Sequence, residues 1–134
     1  MKMNDNISNQ GYKGKERRKF IRVPFIFPVN FKIVNKSDDE DRIYHALSDN
    51  ISEGGLKIIC LDPVDKDDEI EINFYLPIKD GMKEIKSNAQ VVWKQEGNKK
   101  NFCGVQFINI KNEDKEAIRN FVNRIMEFKK DENI

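Results

Sequence analysis

The sequence predicts an all-β (mainly β) domain: six antiparallel strands in a barrel or a sandwich, closed by one C-terminal α-helix. Three observations carry this. Between Phe25 and Ile110, apolar residues recur at every second position in a series of short stretches. Turn-forming residues separate those stretches at short intervals, which suits hairpins. After Asn112 the apolar spacing becomes helical. There is no internal repeat and no alternation of strands with helices.

Residues 1–15 are rich in Asn, Lys, Gly and Ser and read as a flexible arm, with the domain itself over 16–130. Phe25, Phe27, Val29, Phe31 and Ile33 alternate and predict the first strand. Pro28 has no N–H to give a ladder, so that strand lies at an edge or meets solvent there. A polar loop, Asn35–Arg42, leads to a second strand at Ile43–Ser48, and Leu56–Leu61 reads as the third. Residues 62–68 form an acidic turn expected to be solvated surface. Ile70, Ile72, Phe74 and Leu76 alternate with polar neighbours in a fourth strand, which Pro77 is expected to end, and Asp80-Gly81 suits a reversal. Ile85, Ser87, Ala89, Val91 and Trp93 trace one face of the fifth strand. Gly97-Asn98 marks a turn, and Phe102–Ile110 is the sixth strand. Asn112 reads as an N-cap, followed by Glu113 and Asp114 where acids suit a helix dipole. Ile118, Phe121, Val122 and Ile125 then form an apolar stripe expected to pack on the sheet or over a barrel mouth.

A chain of 134 residues suits one domain with its own core. Its formal net charge is +1, from 24 Lys+Arg against 23 Asp+Glu, which argues against a general polyanion binder and against DNA. The charges are nonetheless segregated, with a basic run at 13–22 and an acidic one at 62–71, so a compact anion is the better partner for the basic run. Cys60 and Cys103 sit in apolar stretches and read as buried free thiols. The polar N-terminus is no secretory signal, and no apolar stretch has the length of a membrane span; the expectation is a cytoplasmic protein, not an integral membrane one.

Two short motifs stand out. The chain has six arginines, three of them in Arg17-Arg18-Lys19-Phe20-Ile21-Arg22. Arginine offers a planar fork that grips phosphate or a guanine edge bidentately and stacks on bases, which lysine does not. The second motif, Asn50-Ile51-Ser52-Glu53-Gly54-Gly55, supplies hydrogen-bonding side chains on one face of an extended segment and then two glycines that let backbone approach a ligand. Together they point to a small anionic ligand that carries guanine.

Arg18-x-x-x-Arg22 followed by Asn50-x-Ser52-x-x-Gly55 resembles the paired signatures of the PilZ domain family. Gly104-Val105-Gln106-Phe107 resembles that family's late strand, and a closing helix follows. The resemblance implies a six-stranded antiparallel β-barrel that serves as a non-catalytic cyclic di-GMP receptor. It implies that Arg18 and Arg22 take phosphate and guanine, that Arg17 extends the grip, and that Asn50, Ser52 and Gly55 meet the ligand, with Gly54 helping the turn. No metal or other cofactor is implied; the partners are cyclic di-GMP and an unidentified downstream protein. Many family members carry Asp where this chain has Asn50. Asp49 would face the other way in a regular strand and is a poor substitute.

Other constellations carry less. His45, Ser48 and Asp49 would be splayed apart by a strand, so no triad forms, and one His with two scattered Cys gives no zinc spacing. Trp93 and Phe102 have faces on which a base stacks, but their strand positions make them core residues first. The alternative functions are a PilZ-like protein-interaction module that ignores nucleotide and a single-stranded nucleic-acid clamp, which the neutral charge disfavours.

Overall fold

The structure, a computed structural model, describes residues 20–36 and 41–132. The expected arm at 1–15, Arg17 and Arg18 lie outside the described residues. Among the described residues seven strands and one helix follow in order: β1 (Val23–Pro24), β2 (Pro28–Ile33), β3 (Tyr44–Ser52), β4 (Gly55–Cys60), β5 (Glu69–Ile78), β6 (Gly81–Glu96), β7 (Asn101–Ile108) and α1 (Asn112–Glu132).

All pairings are antiparallel, and β3–β2–β5–β6–β7–β4 closes on itself through β3–β4, which makes a six-stranded barrel. Closure leaves no long open edge to pair with another chain. The two-residue β1 continues the line of β2 along β3, pairing Val23 with Ile51 and Pro24 with Asn50.

Alternation predicts one unbroken strand from Phe25, but the ladder is interrupted between Pro24 and Pro28. Ser48, fully buried, fills the break: its hydroxyl donates to the Phe25 carbonyl at 2.5 Å and accepts from the Phe27 N–H at 3.0 Å. Pro28 is then the first residue of β2, where a missing N–H costs least. Pro77 does not end β5; it pairs with Met82, and the strand runs to Ile78. The reversal follows at Gly81, whose φ of +140° suits only glycine.

Phe31, Ile72, Phe74, Ile85, Ile58 and Val91 fill the barrel from its inward-facing positions. Each such side chain removed from water contributes about 1.5–3 kcal/mol. At one mouth α1 lays Ile118, Phe121 and Val122 across the opening. The Phe121 ring meets Phe25 edge-on at 4.8 Å, and Phe25–Phe27–Phe74 carries the aromatic contact inward. The helix starts one residue earlier than expected, since the Lys111 carbonyl accepts the Lys115 N–H at 2.9 Å and Lys111 therefore stands at the cap.

At the other mouth the acidic loop is not mere solvated surface. Val64 is fully buried and Asp68 is 3% exposed. Asp68 accepts the Asp65 N–H at 2.9 Å, and Lys36 reaches Asp65 at 2.7 Å and Asp68 at 3.1 Å. Cys60 and Cys103 are free, buried thiols, as expected; burial pushes the Cys103 thiol up to about 11.

Candidate functional site

The outer surface of β3, β4, β7 and β6 gathers the second motif. Ile51 is fully buried, so Asn50 and Ser52 on either side of it face outward. Ser52 pairs with Gly55 at the β3–β4 turn, and Gly55 pairs with Gln106 on β7. Asn50 pairs with Lys57, Lys57 with Gly104, and Gly104 with Trp93. Directly opposed residues share a face, so these four form one row across four strands.

Two bulges decide what this face presents. In β3 the register shifts between Ser48 and Asn50. A bulge sets two residues against one, so Asp49 joins Asn50 on the outer side and its carboxylate meets Lys57 at 3.3 Å. The expectation that Asp49 faces away fails for this reason. In β6 the register shifts between Val91 and Trp93. Val91 stays inside, fully buried, while Trp93 is carried outward and left half-buried. Trp93 and Phe102, read from sequence as core residues, both lie on the outer face, where Phe102 pairs with Ile59 and Gln95. The three consecutive apolar residues Val91-Val92-Trp93 were the available signal, because they break strict alternation.

The glycines keep the floor low. A Cβ on Gly104 would fall 1.9 Å from the Trp93 Nε1, so the indole lies across this residue. A Cβ on Gly55 would fall 1.9 Å from the Val105 carbonyl oxygen, so Gly55 is required by strand packing whatever else it does. Gly54 sits under the Phe20 ring and passes its carbonyl to the Phe107 N–H at 2.9 Å. The Ser52 hydroxyl accepts the Gly54 N–H at 3.1 Å, which fixes the turn and leaves the hydroxyl proton to donate. Asn50 Oδ1 is buried with no hydrogen-bond partner among the described residues. An orphaned acceptor is costly unless something donates to it.

Arg22 approaches this face from β1. Val23 pairs with Ile51, so the chain direction brings Arg22 to the ladder's end beside Ser52. Phe20, two residues earlier, packs over Gly54, and the Lys115 ammonium lies 5.5 Å from its ring. Glu53, inside the motif, holds Arg119 of α1 through both Nε (3.0 Å) and a terminal guanidinium nitrogen (2.9 Å). Phe20, the motif turn and the helix thus meet at one corner. Two concavities of about 550 and 620 Å³ lie elsewhere, on the β2–β5–β6 wall and between α1 and the β5–β6 hairpin. Among the described residues no group of three or more His, Cys, Asp or Glu is arranged to hold a metal, and no helix is long and apolar enough to cross a membrane.

Several solved structures share this architecture. The inhibitor of motility MotI/DgrA from Bacillus subtilis aligns with a TM-score of 0.69 at 19% identity, over 83% of this chain and 52% of that one. YcgR from Escherichia coli in complex with c-di-GMP aligns at 0.64 and 14%, over 87% of this chain and 49% of that one. The PilZ domain of CeSA from a cellulose-synthesizing bacterium aligns at 0.53 and 17%, over 79% of this chain and 98% of that one. The chain therefore spans about half the length of the first two, and at these identities the likeness is one of fold. No curated protein sequence matches it. The profile of the PilZ domain matches residues 16–124, from the arginine motif through the barrel and into the helix. With that match over most of its length, and with the Asn50–Gly55 motif on a closed six-stranded barrel, the chain belongs to the PilZ domain family.

Proposed function

We propose that this chain is a non-catalytic cytoplasmic receptor for cyclic di-GMP, and that the ligand bridges the Arg17–Arg22 arm and the Asn50–Gly55 face. The observation that supports it most is the β1–β3 pairing, which sets the end of the arginine motif alongside Asn50 and Ser52. Fold likeness to YcgR, solved with c-di-GMP, agrees with it. In this reading Arg18 and Arg22 take the phosphates and guanine edges, with Arg17 extending the grip. Asn50 Oδ1 accepts from a guanine N–H, which removes its orphaned state. Ser52 donates its free hydroxyl proton, while the low floor at Gly54 and Gly55 lets the nucleotide approach the backbone. The Trp93 indole offers a base a stacking surface, worth about 1–3 kcal/mol per stacked base in other nucleic-acid sites.

Ordering the arm costs conformational entropy, so the ligand contacts must exceed that cost. The signal to a downstream protein then passes through the corner where Phe20, Glu53, Lys115 and Arg119 meet, because an arm drawn onto the ligand shifts Phe20 off or further onto that seat. Calorimetry with cyclic di-GMP tests the reading. Binding by the wild type, lost in Arg18→Ala and in Arg22→Ala, is the expected result; tight binding that survives both substitutions refutes the site.

A further inference from the structure

The candidate face carries a cation that neither motif contains. Lys57 is the cross-strand partner of Asn50 on one side and of Gly104 on the other. Its side chain therefore rises between the Asn50 carboxamide and the Trp93 indole that lies over Gly104. The ammonium is held close to the barrel, 3.3 Å from Asp49 Oδ2 and 5.2 Å from the centre of the Phe102 ring, with the side chain 30% exposed. Asp49 reaches it because of the β3 bulge. An ammonium has three donors and no acceptor, and this carboxylate oxygen occupies one, so donor capacity for a ligand remains.

We propose that Lys57 is a phosphate-binding residue of the cyclic dinucleotide site, parked against Asp49 in the free protein and turned toward a ligand phosphate on binding. This rests on the receptor reading and adds to it a cation positioned by the barrel rather than by the arm. A rigid strand holds Lys57, so its contact requires no segment to order, and it anchors the dinucleotide on the floor of the face. Asp49 sets the strength of that anchor. It competes with phosphate for the same ammonium and repels the ligand's charge.

The test is calorimetry of the full chain with cyclic di-GMP at several salt concentrations. Lys57→Met weakens binding about tenfold or more and flattens its salt dependence, while Lys57→Arg restores both. Asp49→Asn tightens binding, and the gain shrinks in the Lys57→Met background. Thermal unfolding of Lys57→Met at the wild-type midpoint excludes a folding defect. If the wild type binds and Arg22→Ala does not, yet Lys57→Met matches the wild type in strength and salt dependence, the Lys57 assignment is overturned and the receptor reading stands. Asp49→Asn binding more weakly than wild type also overturns it, since Asp49 is then itself a ligand contact. A wild type that does not bind overturns both.

Discussion

Three glycines of the site differ in what surrounds them, and the difference predicts an order of tolerance. At Gly55 the obstruction is the Val105 carbonyl, which is backbone and cannot rotate away. At Gly104 it is the Trp93 indole, and at Gly54 it is the Phe20 ring at 3.0 Å, a side chain that is able to rotate. Urea unfolding is expected to show Gly55→Ala as the most destabilising, near the top of the roughly 1–3 kcal/mol usual for overpacking, with Gly54→Ala the mildest. Gly54→Ala as damaging as Gly55→Ala contradicts this account of the β3–β4 turn. The sequence marks Gly55 as a ligand contact through its motif, but the steric demand of β7 on the same atom becomes visible only when the strands are paired. Trp93 and Asp49 are harder cases still. Alternation assigns each a face, and one inserted residue in each strand reverses the assignment.

At the scale of elements, the end of the barrel opposite α1 is tied by charges rather than by a helix. Lys36, just beyond β2, grips Asp65 and Asp68 in the β4–β5 loop, and Lys94 of β6 reaches Asp65 at 3.7 Å. The hydrogen bond from Lys36 holds the Asp65 carboxyl below its usual range, and the bonds it donates to Asp65 and then Asp68 hold the Lys36 ammonium above its own. The lowered Asp65 contributes stability above its unfolded value, lost as pH falls through the lower folded one. The raised Lys36 contributes stability below its unfolded value, lost as pH rises through the higher folded one. Thermal melts should therefore show the tie intact from about pH 5 to pH 10 and weakening on both sides, with Lys36→Met removing the part due to this pair at every pH between. Both groups are exposed, so the contribution is modest and falls with salt. A Lys36→Met profile parallel to wild type beyond both limits contradicts it. The strands on either side were legible from alternation: β5 carries Ile70, Ile72, Phe74 and Leu76 inward as expected. The clamp was not, because a run of acids reads as solvated surface until the loop is seen folding back to bury Val64 and Asp68.

For the whole molecule, the apolar core and the proposed ligand face lie on opposite sides of one barrel wall. The interior is an apolar column that α1 closes from one end through Phe121, Phe25, Phe27 and Phe74. The helix and six-strand count followed from periodicity, and closure into a barrel followed from the family resemblance, now supported by the β3–β4 pairing. The net charge of +1 hides an uneven surface, and the uneven part matters: Arg22 and Lys57 flank the face that bears Asn50 and Ser52. The central claim is that a guanine-bearing dinucleotide lies on that face within reach of the indole. Trp93 is the sole tryptophan, so its emission reports on that face alone. Titration with cyclic di-GMP should change the emission saturably, with the midpoint found by calorimetry, and the change should vanish in Arg22→Ala. Heat of binding that saturates while the emission stays constant contradicts the account.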